Sequence, residues 1–387
     1  MNATIRGSLL AVVLSSFVAG CSSDSPTPQQ TSSPAQAWVV PDTATALAAA
    51  DRAAFLADLL YYNAHTQANT GGEIRGQIDK IGTVKVATLD GAQETPAVTT
   101  SAFGAGILAV NETTGQVSGF IVTSGLVNPT AAHIHQAARG APGEIIVTLT
   151  GGPDVWVVPD NATPLTAPQI AAFQQDQLYF NAHTQANSGG EIRGQIDNSG
   201  TAKFASLDGA QETPAVTTTA FGGGVLVVNG TTGGVGGFFV SDGLVNPTAA
   251  HVHDAARGTP GDIIVPMTGG PNLWVVPDNA VITGARAMDF AADGLYFNAH
   301  TQANSGGEIR GQLDKTGTAK LASLDGAQET PAVTTSAFGG GVLAVDDTTG
   351  EVSGFMVTSG LVNPTAAHFH NAVRGTAGPI VVQLSGP

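Results

Sequence analysis

The chain has 387 residues, only 11% of them charged, and a formal net charge of −16. This acidic balance excludes nucleic acid as a partner, because no basic surface could offset repulsion by the phosphates. The 50 glycines and 21 prolines are typical of many short strands joined by tight turns, and they argue against a helical bundle.

The chain begins with the pattern of a secretion signal. One positive charge precedes an apolar run at 9–14, which is too short to span a bilayer, and Val-Ala-Gly-Cys follows at 18–21. These four residues resemble the lipobox of bacterial lipoproteins, in which cleavage leaves the cysteine as a lipid-bearing N-terminus. We therefore predict a signal peptide at 1–20, lipidation of Cys21, and a flexible linker at 21–36 that is rich in Ser, Pro, Thr and Gln.

This resemblance implies a location in the cell envelope, with the lipid on Cys21 holding the protein to a membrane. The membrane would be the outer membrane in a Gram-negative cell, and otherwise the protein would lie at the cell surface. A soluble secreted protein with a chance cysteine is the alternative.

The rest of the chain is a long internal repeat. The motif W-V-V-P-D starts at Trp38, Trp156 and Trp274, a spacing of 118 residues. Each repeat also carries N-A-H-T-Q-A-N, G-G-E-I-R-G-Q, L-D-G-A-Q-E-T-P-A-V and N-P-T-A-A-H-x-H. A period of this length is far too long for a solenoid unit, so each repeat has the size of a domain.

The repeat can be divided into domains in two ways. Domains could run from tryptophan to tryptophan, but the short polar joints after G-E-I-R-G-Q favour whole domains at 84–197 and 202–314. The second half of a domain (37–79) then precedes them and the first half of one (319–387) follows. We expect these halves to complement each other, within one chain or between chains. A truncated reading frame is the alternative.

The predicted elements are mostly strands. In chain order they are an alanine-rich helix at 45–60, strands at 106–110, 117–122 and 144–149, and a helix at 166–177 with Thr166 as its N-cap. The strands are short, apolar and bounded by turn residues. We therefore predict an all-β fold of tandem antiparallel Greek-key sandwich or barrel domains, with one short helix per repeat.

All nine histidines fall at repeating positions. Two of each repeat lie in H-x-H, and because residues i and i+2 of a strand face the same way, both imidazoles project from one surface. A third histidine lies in N-A-H-T. Three neutral imidazoles can bind copper or zinc, and we interpret the pattern as a metal site in which copper is favoured over zinc. The alternative is a structural cluster in which the histidines only make hydrogen bonds. The candidate ligands are His133, His135, His183, His251, His253, His300, His368, His370 and His65.

An arginine recurs in register in G-E-I-R-G-Q, at Arg75, Arg193 and Arg310. Glu, Arg and Gln of this motif share one strand face, with the isoleucine on the other. From the residues alone, a brace to a glutamate or a backbone carbonyl is the favoured interpretation. The Gln-Glu-Thr-Pro segment is typical of a turn at a strand edge, and we assign it no chemistry.

The complete set of motifs resembles the CHRD domain family, which is common in bacterial envelope proteins. The similarity covers nearly everything from residue 37 onward. It implies domains that start and end as in the second division above, and it implies little about function.

A weaker similarity connects the order of strands and the H-x-H motif with the copper/zinc superoxide dismutases. It implies copper ligands at His133, His135 and His183, with Arg193 as an anion guide. The corresponding sets are His251, His253, His300 with Arg310, and His368, His370, His65 with Arg75. The bridging histidine, the zinc ligands and the disulfide cysteines of that family are missing, so the implied site is copper-only.

Two functions follow as hypotheses. The first is a copper-binding envelope protein that stores or buffers copper or carries out dismutase-like chemistry. The second is a non-catalytic interaction protein, whose histidines only brace the fold and whose sandwiches bind a protein or a polysaccharide.

Overall fold

The computed structural model describes Met1 and residues 35–387. The predicted signal peptide, the lipidated Cys21 and the predicted linker up to residue 34 lie outside the described residues. Within the part of the chain that is described, no helix has both the length and the apolar character needed to cross a membrane.

Strands make up most of the described chain. The elements up to residue 81 are β1 (Gln36–Val39), α1 (Ala49–Leu56), β2 (Leu60–Thr66), β3 (Ile74–Gln77) and β4 (Lys80–Ile81). They are followed by β5 (Thr83–Asp90), β6 (Phe103–Val110), β7 (Val117–Ser124), β8 (Pro129–Gln136), β9 (Glu144–Thr148), β10 (Thr150–Gly151), β11 (Val155–Val157), α2 (Ala167–Gln174), β12 (Leu178–Thr184) and β13 (Ile192–Gln195).

The same order recurs in the remaining chain. The next repeat contains β14 (Thr201–Asp208), β15 (Phe221–Val228), β16 (Val235–Asp242), β17 (Pro247–Asp254), β18 (Asp262–Pro266), β19 (Thr268–Gly269), β20 (Leu273–Val275), α3 (Gly284–Ala291), β21 (Leu295–Thr301) and β22 (Ile309–Gln312). The last strands are β23 (Thr318–Asp325), β24 (Phe338–Val345), β25 (Val352–Ser359), β26 (Pro364–Asn371) and β27 (Ile380–Gln383). One turn of 3₁₀ helix follows each of β5, β14 and β23.

These strands form three antiparallel, barrel-like sheets. We call each sheet together with its helix a lobe. Lobe II contains β5–β13 in the order β10-β11-β7-β6-β5-β13-β12-β8-β9, and lobe III repeats this order with β14–β22. Lobe I has the order β1-β25-β24-β23-β3-β2-β26-β27, with β4 beside β23. The predicted all-β class of tandem domains with one short helix per repeat is confirmed.

Lobe I is built from two distant parts of the chain. Strand β2 pairs with β26, so that Ala64 lies opposite Ala367, and β3 pairs with β23 where Arg75 lies opposite Asp325. The strands before residue 82 and after residue 317 therefore share one sheet. The domain boundaries proposed from the sequence, and any exchange of segments between chains, stay predictions.

The helices are shorter than the sequence predicts. Helix α2 begins after the expected cap, Thr166, but it ends at Gln174 rather than continuing to Gln177. Asp176 adopts a left-handed conformation (φ 57°), which stops the helix. The buried Lys85 then donates from Nζ to the carbonyl of Phe173 at 2.6 Å and pairs with Asp176, which places a cation at the negative end of the helix.

A shared apolar core joins the three lobes. One phenylalanine from each lobe, Phe120, Phe238 and Phe355, contacts the other two with ring centroids 5.8 to 6.5 Å apart and nearly perpendicular rings. Buried valines, alanines and leucines from all three sheets surround them. Edge-to-face packing of this kind adds stability beyond the burial of apolar area.

Replacing Phe120 by alanine tests this core. The side chain is 1% exposed, so its removal leaves a cavity between lobes and should lower the free energy of unfolding by about 3–5 kcal/mol. Val127→Ala is the control, because Val127 is 70% exposed and should change stability by less than about 0.5 kcal/mol. Chemical denaturation measures both, and equal effects of the two variants would show that the interlobe core contributes little.

Candidate metal centre

The histidines of lobe II lie on adjacent strands. His133 and His135 are on β8, and His183 is on the neighbouring β12. Alternation along β12 sends Leu178 and Phe180 into the core and His183 to the opposite face of the sheet. The apolar positions of L-Y-F-N-A-H-T therefore hold the strand in a register that places the third histidine beside the H-x-H pair.

The structure brings all nine histidines into three such groups. The ligand atoms of each group lie within 4.8 Å of one another. Nδ1 of the first histidine of H-x-H is 3.0 Å from Nε2 of the third histidine in lobes II and III, and 3.2 Å in lobe I. The groups are His65, His368 and His370; His133, His135 and His183; and His251, His253 and His300.

Backbone carbonyls determine the tautomer of two imidazoles in each group. His135 Nδ1 is 3.0 Å from the carbonyl oxygen of Gly143, and His183 Nδ1 is 3.1 Å from that of Ser188. A carbonyl oxygen can only accept, so each Nδ1 carries the proton and donates it, which leaves the lone pair on Nε2. Metal-binding histidines in proteins are oriented by hydrogen bonds of this kind.

One of these lone pairs has no partner among the described residues. Nε2 of His135 is buried and makes no hydrogen bond within residues 35–387, and the same holds there for His253 and His370. A buried nitrogen without a partner costs free energy, and most buried polar atoms in proteins have a partner. This atom is among three convergent imidazoles, so the donor set fits a metal ion that accepts nitrogen ligands.

The imidazoles are neutral near pH 7. Burial, together with repulsion from positive charge on the neighbouring His183 and His135, lowers the pKa of His133 to about 4. His251 and His368 have the same low pKa for the same reasons. Burial also lowers the pKa of His135 and His183, so protons compete weakly for the ligand nitrogens.

A tyrosine supports the group from the side. The Tyr179 ring stacks on His135 with centroids 4.9 Å apart and an angle of 10° between the planes. Its hydroxyl accepts a hydrogen bond from the Gly143 backbone N–H at 3.0 Å. Tyr61 and Tyr296 stack in the same way on His370 and His253. No role for these tyrosines was predicted from the sequence, although the alternation of the strand puts them on the histidine face.

The recurring arginine lies on the other side of this tyrosine. Arg193 is on β13, which flanks β12 opposite β8, and its guanidinium lies 3.5 Å from the centre of the Tyr179 ring. It is 2% exposed and donates to the carbonyls of Ala138 and Ala141 at 3.1 and 2.8 Å. This arrangement is the carbonyl brace that the residues alone favoured, and Arg75 and Arg310 repeat it. The role as an anion guide stays a prediction.

A carboxyl group for which the sequence predicted no role lies on the same face. Asn181 donates from Nδ2 to Glu94 of the Gln-Glu-Thr-Pro segment, and Asn298 does so to Glu212 at 2.6 Å. Burial raises the pKa of both glutamates, that of Glu212 to about 7. The segment therefore covers the polar face next to the histidines and is more than the edge turn expected from its sequence.

The low histidine pKa values predict how stability depends on pH in the metal-free protein. Unfolding returns His133 from a pKa of about 4 to its ordinary value of 6.5, so the unfolded chain binds more protons between these values. The free energy of unfolding should therefore fall as the pH drops from 6.5 to about 4, with no histidine contribution above that range.

The test compares denaturation midpoints across this range for the wild type and for a triple variant, with chelator present. The variant carries His133→Gln, His251→Gln and His368→Gln. Its loss of stability toward pH 4 should be smaller, because three titrating groups are gone while the carboxylates are unchanged. Identical pH profiles would contradict the assignment.

The chain is similar to one known family of domains. The CHRD domain family matches the chain four times, at residues 21–78, 85–196, 204–313 and 321–387. No curated protein and no solved structure matches the chain significantly. The family matches together span far more than half of the chain, which therefore belongs to the CHRD domain family.

Proposed function

We propose that this protein binds copper through its three-histidine groups and stores or buffers the metal in the cell envelope. The observation that carries the proposal is the buried Nε2 of His135, and of His253 and His370, which has no hydrogen-bond partner in the part of the chain that the structure describes. Each lies beside the ring nitrogens of two further neutral histidines. Each group offers nitrogen ligands only. Copper binds such ligands more tightly than the other divalent first-row metals do.

The residues around the histidines support binding. His135 and His183 each keep a lone pair on Nε2 because Nδ1 of each donates to a carbonyl. In the metal-free protein the Nε2 of His183 accepts a hydrogen bond from His133 Nδ1, which a bound metal would replace. His133 faces His183 through Nδ1, and as a neutral imidazole it can carry its proton on Nε2 and present Nδ1 to a metal. The net charge of −16 raises the concentration of cations near the protein.

The alternative, in which the histidines only brace the fold, accounts for part of the geometry. The hydrogen bonds from Nδ1 of His135 and His183 do hold nearby loops. A purely structural cluster would gain by pairing the remaining nitrogen, however, and Nε2 of His135 is buried with no partner among the residues that the structure describes. Metal binding explains this atom and bracing does not.

The environment of Arg193 favours storage or buffering of copper over dismutase-like chemistry. An anion guide must present its charge to solvent near the metal, whereas Arg193 is 2% exposed and donates to loop carbonyls. We include in the proposal the lipid anchor on Cys21, which rests on the sequence pattern at residues 18–21.

Copper titration of the purified protein is the test, followed by calorimetry and by the electron paramagnetic resonance spectrum of copper(II). We expect three equivalents per chain and hyperfine structure from nitrogen ligands, because three groups are present. The double variant His133→Ala, His135→Ala should lose one equivalent and leave two.

The control is Gln136→Ala, which changes the residue next to His135 on β8 outside the histidine group. This variant should bind as much copper as the wild type. Sub-stoichiometric binding by the wild type, or the same capacity after loss of both histidines, would reject the proposal in favour of a bracing role.

A further inference from the structure

The loop between β8 and β9 (residues 137–143) determines the orientation of one histidine in the group. The Gly143 carbonyl accepts from His135 Nδ1 at 3.0 Å, and the Gly143 N–H donates to the Tyr179 hydroxyl. Arg193 donates to two carbonyls of the same loop. A displacement of the loop would therefore turn the His135 ring and move its Nε2.

The middle of this loop is attached to another lobe. Arg139 donates from both terminal nitrogens to the carboxylate of Asp278 in lobe III, at 2.7 and 3.1 Å. The same guanidinium contacts Asp197 and Gln93 of its own lobe at 2.6 and 2.9 Å. A bidentate arginine–carboxylate pair restricts geometry more strongly than a single hydrogen bond does.

The contact recurs in one direction around the three lobes. Arg257 of lobe III binds Asp42 of lobe I, and Arg374 of lobe I binds Asp160 of lobe II. The aspartate is in each case the last residue of W-V-V-P-D. The loops of Arg257 and Arg374 hold His253 and His370 through the carbonyls of Gly261 and Gly378.

We propose that the aspartate of each W-V-V-P-D motif is a positioning residue for the histidine group of a neighbouring lobe. Asp278 acts on His135 through Arg139 and the β8–β9 loop, although it belongs to lobe III. Each group is then fully ordered only when the three lobes are assembled. The inference rests on the proposed function where it concerns metal affinity, and on the structure alone where it concerns the orientation of His135.

The effect on affinity should be moderate. Loss of a direct outer partner of a metal ligand typically weakens binding about 10-fold to 100-fold. Asp278 is further away, and the arginine in the pair is 44% exposed on its side chain, so solvent screens part of the interaction. We expect a weakening of about threefold to tenfold.

The experiment uses the full chain with a single intact group. His251→Ala and His368→Ala disable the groups of lobes III and I and leave that of lobe II. In this background, competition for copper(II) with a chromogenic chelator gives the Kd. Asp278→Ala should raise the Kd about threefold to tenfold, and Asp278→Asn should raise it less, because the amide oxygen still accepts a hydrogen bond.

Asp160→Ala is the matched control. It removes the equivalent aspartate, but this residue faces Arg374 of lobe I, whose group is disabled. Its Kd should equal that of the background. Equal changes for Asp278→Ala and Asp160→Ala, or no change for either, would overturn the proposal.

A second measurement separates this proposal from copper binding itself. In the metal-free protein with all histidines present, Asp278→Ala should shift the imidazole nitrogen resonances of His135 and leave those of His253 unchanged. If the wild type binds no copper, the proposed function is rejected. The comparison of resonances still tests whether Asp278 affects the orientation of His135. Unchanged His135 resonances, or equal shifts of both histidines, would refute it.

Discussion

The three lobes depend on an apolar core that none of them buries alone. Phe120, Phe238 and Phe355 meet where the sheets face one another, so each lobe contributes one side of a shared interior. Burial of this apolar surface holds the three lobes together, so that they do not behave as independent domains. The polar faces of the sheets, which carry the histidines, are consequently oriented by the same packing.

The histidine face is held together by groups that leave the imidazoles neutral. Carbonyls, a tyrosine ring and neighbouring imidazoles surround His135, and the charge of Arg193 is used to hold loop carbonyls. A carboxylate partner would instead raise the histidine pKa and favour the imidazolium form. The absence of such partners among the described hydrogen bonds of His135 suits a site for a cation, because its ligands must be unprotonated.

Much of this arrangement could be predicted from the sequence, because it follows from periodicity. Alternation along β8 and β12 put the histidines on one face, and the internal repeat predicted that they would occur in three groups. The arrangement of Arg139 with Asp278 could not be predicted, since it depends on how separate lobes pack. The position of the Glu94 carboxyl beside the histidine face could not be predicted for a related reason. Its loop contacts Asn181 through a hydrogen bond between residues that are far apart in the sequence.

Because lobe I is built from both ends of the described chain, its strands are synthesised at very different times. Strands β1 to β4 leave the ribosome before lobes II and III do, yet they pair with strands β23 to β26. His65 likewise can contact His368 only after 303 further residues have been synthesised. Contacts at such separation form slowly, because the entropy of closing the intervening chain must be overcome first. The earliest of the described strands are thus the last to find their sheet, and until then their unpaired edges expose the nascent chain to aggregation.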